Sequence, residues 1–442
     1  MSEYLLTEGN VRKKIISFAM PVFIGHFFQQ MYNIVDALIV GNLVDSNALA
    51  AVTSTSYYVY LVTGFFYGFA IGAGIVIARY IGAHDEEGTS RAVHTAVWLG
   101  LLFSLLMTCI GIFLSSYVLR WMGTPENVIY QALGYLKVYF AGSTAFVLYN
   151  VFVGILQAAG DSRHPLIYLI LSSVLNIVLD ILFIGPLHMG VKGAALATVL
   201  AQALSMALAA HRVCSVSDSY RLRLTALRPA SKTMRLIFKY GMPTAVQGCV
   251  IDLSNILIQS YINSFGSNAM AGIGTSAKLE GFAFLPVTAF SMALSTFVSQ
   301  NLGAKKNSRI REGIWFGLGC TIGILLLLGG IMYIFAPQLV AFFSNDPEII
   351  TYGVTRTRIC TAFYCLVGFS HTASAVARGL GKPMIPMIVM LVCWCLVRVV
   401  VLATLGQVLH DIRLVCWIYP FTWSLSSAVY VFYLKNSMKK VS

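Results

Sequence analysis

The sequence predicts an all-α integral membrane protein. Twelve transmembrane helices form two six-helix bundles related by a pseudo-twofold axis along the membrane normal. Three observations predict this. The 442 residues are 58% hydrophobic and only 11% charged, about half the charge of an ordinary soluble domain. Twelve apolar runs each reach the roughly 20 residues needed to cross a bilayer. Residues also recur in register half a chain apart.

Gly, Pro and charge clusters set the limits of the runs. Span one, 16–40, follows a polar stretch, 1–14. It is too long for the core of a cleaved signal peptide and is expected to stay as an anchor. Span two, 50–79, ends at Arg79. Spans three, 93–117, and four, 128–157, flank Gly123-Thr124-Pro125. Spans five, 164–186, and six, 190–211, meet in a short turn. The basic segment 212–237 then reads as a cytoplasmic linker between an N-terminal lobe, 1–211, and a C-terminal lobe, 238–442. The second lobe carries spans at 238–264, 270–300, 313–335, 348–377, 384–407 and 413–434.

An even number of spans puts both termini on one side. Most of the Lys and Arg residues fall on that side too. They include Arg12-Lys13-Lys14, Arg221, Arg223 and Arg228 of the linker, Lys305-Lys306, and Lys439-Lys440. The positive-inside rule makes that side cytoplasmic, in the cell membrane. It also explains the net charge of +13 without nucleic acid. The nine cysteines form no C-x-x-C pair and no zinc spacing, so they read as small packing residues in a reducing compartment.

The halves match at an almost constant offset. Met20-Pro21 and Asn33 recur in one register as Met242-Pro243 and Asn255. Pro125-Glu126 recurs in the same register as Pro347-Glu348, and Gly82-Ala83 recurs one position short of it as Gly303-Ala304. Six spans per repeat give both repeats the same orientation. In transporters built this way the substrate path lies between the halves.

Asp36 and Asp180 interrupt long apolar spans, where a carboxylate costs several kcal/mol unless solvated, paired or protonated. Counting along spans of known direction puts Asp36, Asp180, Thr198 and Tyr135 at one level of the outer half. Asn176 lies one turn from Asp180 on the same face. Gln29 and Asn33 share a face with Asp36. Two carboxylates, an amide and a hydroxyl can hold a small hard cation through oxygen. They can equally share a proton. Each acid could instead simply face water in a cavity or bond a helix end.

The second half differs. Ile258 and Val401 stand where Asp36 and Asp180 stand in the first half, while Asp252 and Arg398 appear on the equivalent spans. These two are expected to approach each other or share a polar network, the alternative being an Arg398 that snorkels to the interface. Glu280 beside Lys278 reads as an interfacial ion pair. Pro21 and Pro243 each remove a helical hydrogen bond and bend equivalent spans. The many Phe, Tyr and Met residues suit lipid contact, core packing, or a cavity for amphipathic organic cations.

The chain resembles the MATE (multidrug and toxic compound extrusion) family, in its bacterial DinF-like subgroup. The residues that carry the resemblance are 20–43, MPVFIGHFFQQMYNIVDALIVGNL; Arg79-Tyr80-Ile81-Gly82-Ala83; 157–165, QAAGDSRHP; 175–184, LNIVLDILFI; Lys278-Leu279-Glu280; and 299–304, SQNLGA. It covers nearly the whole chain. It implies two six-helix bundles in a V that work by alternating access. It also implies that the acid at Asp36 couples export to entry of H+ or Na+. The neighbouring site positions would be Asn176, Asp180, Thr198 and Tyr135, with Asn150 a further polar position. A Na+ ion would sit at Asp36, Asn176, Asp180 and Thr198, and Pro21 would be a hinge. The family's acids on helices seven and ten of the second bundle are not matched on span ten, which favours coupling in the first lobe.

The reading is a monomeric secondary-active exporter of organic, cationic amphipathic compounds, with small organic substrates and the lipid bilayer as its only partners. It needs no cofactor beyond the coupling ion, no nucleic acid and no catalytic residues. A lipid-linked saccharide flippase of the same superfamily is the nearest alternative, and Asp36 and Asp180 argue against its anionic cargo. A membrane-embedded enzyme is disfavoured because no His-Glu-x-x-His or nucleophile-elbow motif is present.

Overall fold

The computed structural model describes residues 5–43, 46–121, 124, 126–409 and 411–441. Among these every regular element is helical. The order is α1 Val11–Leu43, α2 Ser46–Gly82, α3 Glu86–Trp121, α4 Glu126–Ala141, α5 Ser143–Ala158, α6 Arg163–Ile184, α7 Gly190–Ser215, α8 Ser231–Asn263, α9 Ser267–Gly303 and α10 Asn307–Ile334. Next come α11 Ala336–Ala341, α12 Pro347–Thr361, α13 Tyr364–Gly379, α14 Met384–Met390, α15 Val397–Val408 and α16 Ile412–Val441. A π-helical turn, Leu391–Leu396, joins α14 to α15.

These elements make twelve spans. Eight described helices are long and apolar enough to cross a membrane alone, and ten spans result when the bent pairs α4–α5 and α12–α13 each count once. The more polar α1 and α8 complete the set. The sequence predicts spans four and ten as single helices. The structure bends them by 48° and 57°. In the first case Gly142 lets the chain turn against α7, since a Cβ there would lie 2.3 Å from Val199 Cγ1. The second bend, at Ala362-Phe363, falls at the equivalent place in the repeat.

The chain divides into two units. Unit 1 holds Leu5 and Ile24–Ala245; unit 2 holds Leu6–Phe23 and the chain from Val246 on. The segment expected as a linker belongs to unit 1. Tyr220, Leu222 and Ile237 are buried in its core. His94 Nδ1 lies 2.7 Å from Ser90 O, and the Arg223 amide donates to His94 Nε2 at 3.1 Å. The Ala230 amide donates to Thr95 Oγ1 at 3.1 Å. Further on, α2 and α8 touch backbone to backbone, since a Cβ on Gly72 would fall 2.4 Å from Gly241 Cα. Such contacts, available only to small residues, replace the hydrophobic driving force that helices lack in lipid.

Unit 2 holds the N-terminal strap in the same manner. Gln300 Oε1 accepts from the Leu6 amide at 2.9 Å, Asn301 Nδ2 donates to Leu6 O at 3.2 Å, and Lys306 Nζ donates to Thr7 O at 2.9 Å. Arg309 Nη1 donates to Gly9 O at 2.7 Å.

Candidate ion-coupling site

In unit 1, α6 separates its faces as a lipid-bathed helix must. Ile167, Leu171, Val174, Val178 and Ile181 point outward, while Ser172, Asn176, Asp180 and Ile184 are buried at four-residue spacing. Asp180 is 0% exposed and Asn176 1% exposed. Among the described residues neither amide atom of Asn176 finds a hydrogen-bond partner. Each buried group left without a partner costs about 1–3 kcal/mol, which makes this amide a candidate ligand position.

The levels of the site residues follow from the contacts around them. Ile184 of α6, Ala194 of α7 and Ile39 of α1 form one apolar cluster. Asp180 and Thr198 each lie one turn from that cluster on the same side, and Asp36 lies three residues from Ile39 on that side, where α1 runs on to meet Leu166 and Leu169 at Gly25. Positions 36, 180 and 198 thus stand about one turn from one apolar cluster. The Asp36 side chain itself lies outside the described residues. Thr198 Oγ1 donates to Ala194 O at 3.0 Å, which leaves its lone pairs able to accept. Asn176 Oδ1, the Asp180 carboxylate and Thr198 Oγ1 are oxygen ligands suited to a proton or a small cation.

Of the residues expected at this level, Tyr135 stands apart. Tyr135 neighbours Gly134, where an added Cβ would meet Lys192 Cε at 2.8 Å, whereas Gly142 abuts Val199 beside Thr198. Tyr135 thus lies about 10 Å along its helix from the Thr198 level. Depth counting missed this because it measured each span from an uncertain end. Tyr135 stacks on Tyr139 at 6.1 Å between centroids. Asn33 is exposed, with its amide 3.4 Å from Gln30 Oε1, and Asn150 Nδ2 donates to Phe146 O of its own helix at 2.8 Å. Pro21 lies inside α1, two residues before the unit boundary after Phe23, and Pro243 lies equally close to the boundary after Ala245.

Unit 2 corrects the expected pairing. Among the described residues Asp252 and Arg398 form no ion pair. Arg398 is 2% exposed, so it does not snorkel either. Its Nε donates to Thr422 Oγ1 at 3.2 Å and its Nη1 to Ser254 Oγ at 3.5 Å. Its Cζ lies 4.8 Å from the Tyr419 ring centroid and 4.9 Å from that of Trp394. Helical phase explains the miss. Ser254 faces Arg398, and Asp252, two residues away, is rotated by about 200°. Asn255, the counterpart of Asn33, is exposed.

Glu280 is paired, but not with Lys278, which is exposed. Its Oε2 accepts from Arg356 Nη2 at 2.7 Å, with side chains only 4% and 14% exposed for Arg356 and Glu280. Ser276 Oγ accepts from Arg356 Nη1 at 3.0 Å and from Thr357 Oγ1 at 2.9 Å. The Arg356 Cζ lies 5.0 Å from the Tyr419 centroid, so one ring carries both buried guanidinium groups. Sequence reasoning overlooked Arg356. The available signal was a cation more than two turns into span ten with no acid within a turn of it on its own helix.

The repeat relates the two units residue by residue. Arg398 stands one residue past Val397, the register counterpart of Asn176. Ile258, the counterpart of Asp36, packs in one apolar cluster with Leu402 and with Val401, the counterpart of Asp180 as predicted from the repeat. Tyr261, the counterpart of Ile39, touches Gly406 of α15 with an OH-to-carbonyl bond of 2.9 Å, as Ile39 packs on Ile184. The α1–α6 contact of unit 1 therefore recurs as α8–α15 in unit 2, with the acids replaced by aliphatic side chains.

Twelve spans that carry buried ionisable groups, in two internally repeated halves, define a polytopic membrane transporter rather than an enzyme. The chain belongs to the MatE family: the family's model matches residues 21–182 and again 243–404, two copies that begin at the equivalent prolines Pro21 and Pro243. A similar protein is the "Probable multidrug resistance protein YpnP" of Bacillus subtilis (strain 168), 28% identical over 90% of this chain and 89% of that one. The "Probable multidrug resistance protein NorM" of Thermotoga maritima is 25% identical over 86% of this chain and 82% of its own length. Among solved structures, a superfamily transporter from Pyrococcus furiosus, described under the words "Reverse polarity of binding pocket suggests different function", superposes with a TM-score of 0.92 at 23% identity. That match covers 100% of this chain and 99% of the other.

Proposed function

We propose that this protein is a secondary-active multidrug exporter of the cell membrane, with both termini cytoplasmic. It expels organic, cationic amphipathic compounds in exchange for H+ or Na+ by alternating access. The names of the relatives support the export reading. The observation that carries the coupling is the buried Asn176–Asp180 face, level with Thr198 and with the Asp36 turn of α1. A helix that spends two unpaired amide atoms and a carboxylate on its interior face holds a site whose occupancy changes during transport.

Coupling requires that ion and substrate prefer different states or compete for one site. Outside, the ion binds at Asp36 and Asp180 and favours substrate release. After reorientation the ion leaves to the cytoplasm and substrate affinity returns. Asp36 carries the ion together with Asp180, Asn176 and Thr198, and Pro21 provides the bend in α1.

The flippase alternative needs cationic groups open to an anionic cargo. Arg356 and Arg398 are cations inside unit 2, but both are sealed, and the Glu280 carboxylate and the Tyr419 ring engage them. Uptake of a fluorescent organic cation into inside-out vesicles tests the proposal. A pH gradient or a Na+ gradient should drive it, and Asp36→Asn or Asp180→Asn should abolish the drive. Uptake by Asp36→Asn against a gradient at the unaltered rate would overturn it.

A further inference from the structure

The Asn176–Asp180 pair is one end of a longer feature. At four-residue steps from the proposed cytoplasmic end, α6 presents His164, Tyr168, Ser172, Asn176 and Asp180. Each step rises about 6 Å, a gap that a single water can bridge. The column runs from half-buried to fully buried as it ascends. The opposite face of the helix is apolar and exposed.

Contacts along the column tie it to its neighbours. At the lower end Asp161, 0% exposed, bonds His164 Nδ1 through Oδ2 at 2.5 Å and accepts the His164 amide through Oδ1 at 3.2 Å. The His164 and Tyr168 rings lie 6.1 Å apart. On α7, Ser205 Oγ donates to Tyr168 O at 3.2 Å. Gln202, one turn from Thr198, keeps a buried Oε1 with no hydrogen bond among the described residues, as Asn176 keeps both amide atoms. The α6–α7 seam thus holds three buried polar atoms with open valences between the acid and the His164 ring.

The second half supplies a control. In the register that places Val401 at Asp180, the same column in the second repeat reads Ile385, Val389, Cys393, Val397 and Val401. The fold of this helix pair does not require the polar series of the first half. That series occurs only in the unit that holds the coupling acids.

We propose that the proton released by the acid pair travels to the cytoplasm down this α6–α7 seam, with the Asp161–His164 pair as its exit. The proposal rests on the proton form of the coupling reading. The Asp180 carboxyl loses a proton and becomes a carboxylate. Water held by Asn176, Gln202 and Ser172 passes the proton to His164 Nε2, and the imidazolium gives it to cytoplasmic water; no electron moves. Other titratable groups near the exit are Asp161, Tyr168, Arg163, Arg212 of α7, Tyr149 of α5, whose OH lies 3.5 Å from Pro165 O, and His26 beside the α1–α6 contact at Gly25.

The test is stopped-flow proton release from purified protein in liposomes, together with equilibrium binding of a fluorescent organic cation. His164→Asn, Tyr168→Phe and Ser172→Ala are expected to slow proton release at least fivefold and to leave substrate affinity within twofold. Imidazole buffer on the cytoplasmic side should restore the rate of His164→Asn. Tyr168→Phe keeps the ring and serves if His164→Asn does not fold. Release at the wild-type rate in Tyr168→Phe and Ser172→Ala would overturn the route while the coupling reading stands. If the wild type releases no protons during transport, the coupling reading fails, and the route with it.

Discussion

Glu280→Gln isolates the buried charge network of unit 2. It keeps side-chain volume and removes the carboxylate bound to Arg356. Breaking a buried ion pair on one side costs about 3–5 kcal/mol, because the remaining charge has lost its partner. With side chains 4% and 14% exposed, solvent screens this pair little. Ser276 Oγ and the Tyr419 face remain to Arg356, which places the expected loss near the lower end, about 3 kcal/mol. Arg356→Met in the Glu280→Gln background removes the stranded guanidinium and should recover about 2 kcal/mol. Equilibrium unfolding in mixed micelles, run on the wild type, both single variants and the double variant, measures the coupling directly. A Glu280→Gln loss below about 1 kcal/mol, or a double variant as unstable as the two singles summed, would refute the reasoning.

Three further outcomes follow from the same geometry. Asn176→Leu removes two buried unpaired atoms, so it should leave stability unchanged or raise it by up to about 2 kcal/mol while gradient-driven export falls at least tenfold; unfolding and vesicle transport on one preparation check both halves. His94→Ala should free the segment 212–230 from unit 1 and speed tryptic cleavage at Arg221, Arg223 or Arg228 severalfold, read by mass spectrometry of the fragments. Gly72→Leu places side-chain atoms where Gly241 Cα already lies and should abolish accumulation of folded protein, whereas Gly274→Ala, open around its Cβ, should not; fluorescence-detected size exclusion distinguishes them.

Much of the fold was legible because lipid imposes simple rules. Every backbone group in a span must be bonded within its own helix, so apolar length alone identified the spans. The repeat set their pairing, and the family match begins its second copy at the offset read from Pro21 and Pro243. The bends at Gly142 and Ala362-Phe363 were less visible. Neither carries a proline, and the first depends on how closely Val199 approaches. Side-chain direction was the harder problem. Asp180 and Thr198 each lie one turn from Ile184 and Ala194, which share one apolar cluster. Span counting misplaced Tyr135, whose span begins at a less certain end. It also paired Asp252 with Arg398 on height alone, when rotation about the helix axis gave Arg398 to Ser254. Arg356 escaped notice because its partner Glu280 lies on another helix 76 residues away.

The most direct test of coupling in the first unit is substrate uptake by inside-out vesicles with the pH gradient and the Na+ gradient imposed separately, on wild type, Asp36→Asn and Asp180→Asn. The expected result is uptake driven by one of the two gradients in wild type and by neither in the two variants. Gradient-driven uptake at the wild-type rate in Asp180→Asn would contradict a coupling site on the buried face of α6.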